Sequence, residues 1–140
     1  AKPTFETASG QPGIDVYFED KQFRAVLPGT VKEVRSQYNP DGSGYGEFIV
    51  VESIDPLTNQ PVDVLYSHFA NAPKFKPGQQ IAVGQVLGRQ GGTGSVRSVD
   101  GTIASIDFLA PAPAGSSSMT PYNNFNQLRH FIVDNIYGVQ

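Results

Sequence analysis

The stretch "ASIDFL", residues 104 to 109, sets a hydroxyl and a carboxylate two positions apart in a run that reads as a β-strand. Successive strand side chains point to opposite faces, so Ser105, Asp107 and Leu109 share one face while Ala104, Ile106 and Phe108 share the other. A carboxylate on such a face can hold a cation or move a proton, and a serine near a histidine can be a nucleophile. The chain has no cysteine, so any metal must be held by histidine, carboxylate or carbonyl oxygen. His68 and His130 are the only histidines. Ser105 lacks the Gly-x-Ser-x-Gly elbow and any oxyanion motif, which argues against a serine hydrolase.

These groups need a scaffold, and its pattern is that of a turn-rich β-domain. Fifteen Gly and eleven Pro separate short runs of β-branched and aromatic residues. Alternation predicts strands at 14–18, 24–27, 29–36, 46–53, 61–68, 80–82, 86–90 and 102–109. "NPDGSG" (39 to 44) and "DPLTNQP" (55 to 61) have the turn chemistry of hairpin loops. "DGSGYGE" (41 to 47) lacks the twelve-residue pattern of a calcium loop and reads as part of the first hairpin. "GRQGGTG" (88 to 94) has no following Lys-Ser/Thr and reads as a turn, not a phosphate cradle.

After a Pro/Ala/Ser linker at 111–119, Thr120 is a good N-cap with Pro121 at the first helical position. Tyr122, Phe125, Leu128, Phe131, Ile132 and Ile136 then recur at helical spacing. The expected arrangement is a mainly β domain at 1–110, the linker, and one C-terminal helix at 120–138 packed on the same domain. His130 falls beside the apolar stripe, as a partly exposed helix residue.

With 140 residues, a single domain with a real core is expected. A net charge of −3 and scattered Lys and Arg give no electrostatic case for a phosphate backbone, so nucleic acid is not an expected partner. No apolar run approaches the roughly 20 residues that span a bilayer, and "AKPTFE" has no signal-peptide h-region.

Three stretches carry a more specific pattern: "QPGIDVYFEDKQFRAVLPGTVKEV" (11 to 34), "GYGEFIVVE" with "VLYSHF" (44 to 69), and "KPGQQIAVGQVLGRQGGTG" (76 to 94) followed by "SIDF". In order and spacing they resemble the lysostaphin/LytM-type zinc endopeptidases of bacterial cell walls, over roughly residues 11 to 109. The motifs are short, and it is their joint order that carries the resemblance. It implies an antiparallel β-sheet of the duplicated-hybrid-motif kind with a groove across it. It also implies a zinc site from HxxxD and HxH motifs, with a further histidine on a Y-x-H strand. In that family zinc lowers the pKa of its bound water to about 7, and the water attacks a peptidoglycan peptide.

Carried over by residue, the pattern is altered at the metal. Gln11 stands where the first ligand histidine is expected, and Asp15 is the expected carboxylate. His68 in "YSHF" matches the catalytic histidine, either as a relic or as a working acid/base. Ser105 replaces the other catalytic histidine, and Asp107 replaces the second HxH ligand. An Asp15, Asp107 and Gln11 set is a poor zinc site, although its oxygens suit a weakly held Ca²⁺, Mg²⁺ or Mn²⁺ if waters or backbone complete the shell. No tightly held cofactor is expected.

The resemblance therefore implies a non-catalytic pseudo-peptidase, a binding, regulatory or structural module in cell-envelope or phage-type assembly. Its partners would be peptidoglycan or another protein, and its location extracytoplasmic, envelope-associated or in a virion. The alternative is a metal-dependent peptidoglycan endopeptidase with a rebuilt, non-zinc site. The stretch "SVRSVDG" (95 to 101) is longer than the family's connection and is expected to form a loop at the groove's edge. Tyr38 and Tyr45, near turns, are candidates to line a binding surface.

Overall fold

The computed structural model of the chain describes residues 4–6, 13–94, 100–112 and 120–135. Within them lie ten strands: β1 (Thr4–Glu6), β2 (Gly13–Tyr17), β3 (Gln22–Arg24), β4 (Gly29–Gln37), β5 (Gly46–Ile54), β6 (Pro61–Phe69), β7 (Gln80–Ile81), β8 (Val86–Arg89), β9 (Ala104–Ala110) and β10 (Thr120–Pro121). One helix, α1, spans Phe125–Asn135. The fold is mainly antiparallel β, as the alternation predicts.

The main sheet runs β1-β2-β9-β6-β5-β4-β7, with every pairing antiparallel, and curls into a half-barrel. β3 and β8 form a separate two-stranded ribbon. The long strands β4, β5 and β6 form a meander because their connections are the two turn-rich stretches. In the first, Gly42 and Gly44 take positive φ and Asn39 and Ser43 close the turn through the backbone. In the second, buried Asp55 accepts hydrogen bonds from the Leu57 amide and the Thr58 hydroxyl.

Period-2 patterning decides which face of each central strand goes inward. On β9, Ala104, Ile106 and Phe108 join the main core, as do Val62, Val64 and Tyr66 of β6 and Ile49 and Val51 of β5. Phe23 from the ribbon stacks on Phe69 at 4.5 Å and meets Tyr66 edge-on at 5.6 Å. The opposite face of the sheet carries a smaller cluster, Phe48, Val50, Leu65 and Leu109, with half-buried Tyr45 against it. The candidate site lies on this second face.

Two sequence expectations require correction. The strand expected at 24–27 ends at Arg24, where the β3–β8 register shifts. Beyond it the backbone finds other partners: the Ala25 amide donates to the Gln85 carbonyl and the Val26 amide to the Tyr66 hydroxyl, at 3.1 Å.

The helix does not begin at Thr120 and Pro121. Those residues form β10, pairing antiparallel with Leu109 and Ala110 of β9. This pairing satisfies backbone groups of β9, and a proline with no N–H is tolerated in a short terminal strand. Tyr122 is therefore a core residue outside the helix, its hydroxyl donating to Asp55 at 2.8 Å. The Asn124 carbonyl accepts the first helical bond, from the Leu128 amide. Leu128 and Ile132 are fully buried in the main core, as their helical spacing predicts, and His130 is exposed. Ile136 and residues 113–119 of the expected linker lie outside the described residues.

Candidate functional site

The register of three adjacent strands builds the site. Ser105 of β9 faces Asp15 of β2 on one side and Ser67 of β6 on the other, while Asp107 faces Gly13 and Leu65. These are two rungs on one sheet face, two residues apart, with the Asp15 and Asp107 side chains diagonal to each other. The Ser105 hydroxyl donates to Asp15 Oδ1 at 2.9 Å. The alternation expected of "ASIDFL" thus places Ser105 and Asp107 together, with Asp15 beside them.

Gly13 makes room for Asp107. A Cβ at residue 13 would meet the Ile106 carbonyl and would lie 2.5 Å from Asp107 Oδ1. The Asp107 carboxylate therefore leans over the β2 backbone, into space that a side chain on any other residue would occupy. Asp107 is 7% exposed and, among the described residues, has no hydrogen-bond donor. Burial, with a smaller contribution from the charge of Asp15, pushes its carboxyl up to about 7.

His68 reaches the same face through a bulge. Between the pairs Ile49–Tyr66 and Glu47–Phe69 the register shifts, so that Ser67 and His68 oppose Phe48 alone. The extra residue turns His68 to φ 66°, a left-handed conformation unusual for a non-glycine residue. Its amide donates to the Tyr45 carbonyl at 2.9 Å. Its Nδ1 lies 2.6 Å from the Thr93 carbonyl. A carbonyl can only accept, so Nδ1 carries the proton and Nε2 keeps a lone pair. Burial holds the imidazole below its ordinary range, against the smaller opposing effects of the Thr93 carbonyl and Asp15.

Thr93, which the sequence offered only as part of a turn, proves central. Its hydroxyl donates to the Phe69 carbonyl at 2.6 Å and accepts from the Glu47 amide at 3.0 Å, tying the "GGTG" loop to both strands that flank the bulge. Gly46, at φ 65°, has Thr93 packed where a Cβ would stand. The sequence signal was the shared occurrence of "GYG" and "GGTG", which meet in space. Tyr45 is half-buried, and burial followed by the Asp107 charge raises its phenol. Tyr38 is exposed and donates its hydroxyl to Glu47.

Gln11, the third of the expected metal ligands, lies outside the described residues. Among the described residues no three His, Asp or Glu side chains converge as a metal-holding group. His130 lies on the exposed side of α1. Residues 95–99 of the expected edge loop are likewise outside the described part. Its end is held where Asp100 accepts from Tyr17, at 2.7 Å, and pairs with Lys21. No helix among the described residues is long and apolar enough to cross a membrane.

Chemically, the arrangement offers a carboxyl that exchanges its proton near neutrality, an imidazole with one nitrogen committed, and a second carboxylate that has accepted a hydroxyl. No protein-family model and no curated protein matches the chain.

Proposed function

We propose that this chain is a non-catalytic pseudo-peptidase of the lysostaphin/LytM-like kind, using the second face of its sheet to bind a cell-wall peptide or an assembly partner. The observation that carries the proposal is the Ser105–Asp15 hydrogen bond. At the position where the resemblance expects a catalytic histidine, the side chain instead gives its proton to the one carboxylate that the resemblance expects on the metal. A lone pair used in this way competes with metal coordination, while the framework around His68 is kept by Thr93, Gly46 and the bulge.

The test is incubation of the chain with purified peptidoglycan, with and without Zn²⁺, Mn²⁺, Mg²⁺ or Ca²⁺, followed by sedimentation and by chromatography of released fragments. Co-sedimentation without fragment release is expected. Metal-dependent release that disappears in Asp15→Ala would overturn the proposal.

One observation favours the alternative of a metal-dependent endopeptidase with a rebuilt non-zinc site. The Nδ1 proton of His68 is directed to Thr93, which leaves Nε2 as the free base that a hydrolase needs. In that reading His68 is the acid/base, with Asp15, Asp107 and Gln11 around the metal. The same assay decides it, since release would then depend on both His68 and Asp107.

A further inference from the structure

The chain contains two Asp-Gly peptide bonds, Asp41–Gly42 in the β4–β5 hairpin turn and Asp100–Gly101 ahead of β9, and all four residues are exposed. Their immediate surroundings match. In each, Oδ1 of the aspartate accepts from the amide and the hydroxyl of the residue two places on: Ser43 at 3.0 and 2.5 Å for Asp41, Thr102 at 3.0 and 2.8 Å for Asp100. Those hydroxyls in turn accept from side-chain amides, of Asn39 and Gln90 respectively. Both glycines take positive φ, with open space where a Cβ would stand. The other carboxylate oxygen sets the two sites apart. Asp100 Oδ2 is held from across the fold, by the Tyr17 hydroxyl at 2.7 Å and by the Lys21 ammonium. Asp41 Oδ2 has no such tether among the described residues.

An Asp-Gly bond rearranges when the glycine nitrogen attacks the aspartate Cγ. A new C–N bond closes a succinimide, and one carboxylate oxygen leaves as water, carrying the amide proton and one proton from solvent. Water then adds to the former main-chain carbonyl and breaks its C–N bond, leaving an isoaspartate whose chain runs through the side chain. Glycine favours the attack because no Cβ shields its nitrogen. To react, the aspartate must swing off its hydrogen bonds, which cost more to break when the donor is charged. For Asp41 they come from Ser43 alone, inside the same turn. For Asp100 the swing also breaks the ion pair with Lys21 and the bond from Tyr17. Lys21 foremost, then Tyr17 and Thr102, holds the Asp100 carboxyl well below the usual carboxylate range, and an ionised carboxyl is the poorer target for attack. We propose that Asp41 is a site of spontaneous isomerisation to isoaspartate, and that the clamp of Lys21 and Tyr17 protects Asp100 from the same reaction. The product puts an additional main-chain carbon inside the turn that the Gly42 amide closes on the Asn39 carbonyl at 2.9 Å.

The experiment ages the full chain for several weeks at neutral pH and body temperature, folded in buffer and unfolded in guanidinium chloride. Peptide mapping with electron-transfer fragmentation then separates isoaspartate from aspartate at each site. In the folded chain, isoaspartate at position 41 should exceed that at position 100 at least about tenfold, the scale of one charge-assisted hydrogen bond. In denaturant, where the clamp is gone, the two sites should age at similar rates. Lys21→Met should raise the folded-state rate at Asp100 towards that of Asp41. Equal accumulation at the two sites in the folded wild type overturns the proposal without need of any variant. So does an Asp41 that stays unchanged in the folded chain while it isomerises in denaturant. A rate at Asp100 that is no higher in Lys21→Met than in the wild type removes the clamp as the cause of protection.

Discussion

Asp107 exposes the tension at the scale of a single residue: its strand position points it at the open face, but its neighbours bury it beside another carboxylate. Its carboxyl is raised from 3.8 to about 7 in the folded chain. Between these values the folded state holds a proton that the unfolded state has lost, so stability falls as pH rises from about 4 to about 7 and levels off above. The shift bounds the effect at about 4 kcal/mol. Asp107→Asn should abolish this slope and be the more stable protein at pH 8. Urea titrations at pH 4.5, 6 and 8 check this, and parallel profiles for the two proteins would refute it. His68 gives a second residue-scale prediction. At φ 66° a Cβ is strained, so His68→Gly should be about 1 kcal/mol more stable than His68→Ala, both lacking the imidazole. Chemical denaturation of the pair reads this directly.

At the scale of elements, the "GGTG" loop holds the bulge in place rather than acting on a phosphate. Thr93 bridges β5 and β6 through its hydroxyl while its carbonyl fixes the tautomer of His68. Thr93→Val keeps the carbonyl and the volume but leaves the Glu47 amide and Phe69 carbonyl without that partner, which should cost about 1–3 kcal/mol. Thermal unfolding measures the loss, and hydrogen exchange should localise it to Glu47 rather than to the far end of β6. Legibility differed by element. Long alternating strands such as β5 and β6 were readable because their core-facing positions are largely apolar, Ile49 and Val51 on one and Val62, Val64 and Tyr66 on the other. The helix start was not, because Thr120 and Pro121 satisfy both a helical N-terminus and an edge ladder. Pairing with Leu109 and Ala110 of β9 is the outcome in the fold.

At the scale of the whole molecule, one apolar cluster joins strands from β2 to β9 with Tyr122, Leu128 and Ile132. A core shared in this way predicts a single cooperative unfolding transition. Far-UV circular dichroism and tyrosine fluorescence, readable without interference because the chain has no tryptophan, should give coincident denaturant midpoints. Leu128→Ala should lower both midpoints together, by about 2–5 kcal/mol in stability. Separate transitions for sheet and helix would show that the helix is an independent appendage.

What the sequence by itself determined was the class of the fold and the sharing of a face by Ser105 and Asp107. Strand periodicity and turn chemistry are local properties and survive without knowledge of partners. Asp15 and His68 could be named from motif order, yet their relation to Ser105 and Asp107 depended on register across three strands separated by as many as 90 residues. The role of Thr93, the space left by Gly13 and the burial of Asp107 beside Asp15 were decided by tertiary structure alone. Each arises from a close approach of segments distant in the chain, and burial and electrostatic environment are properties of such approaches, not of residue type.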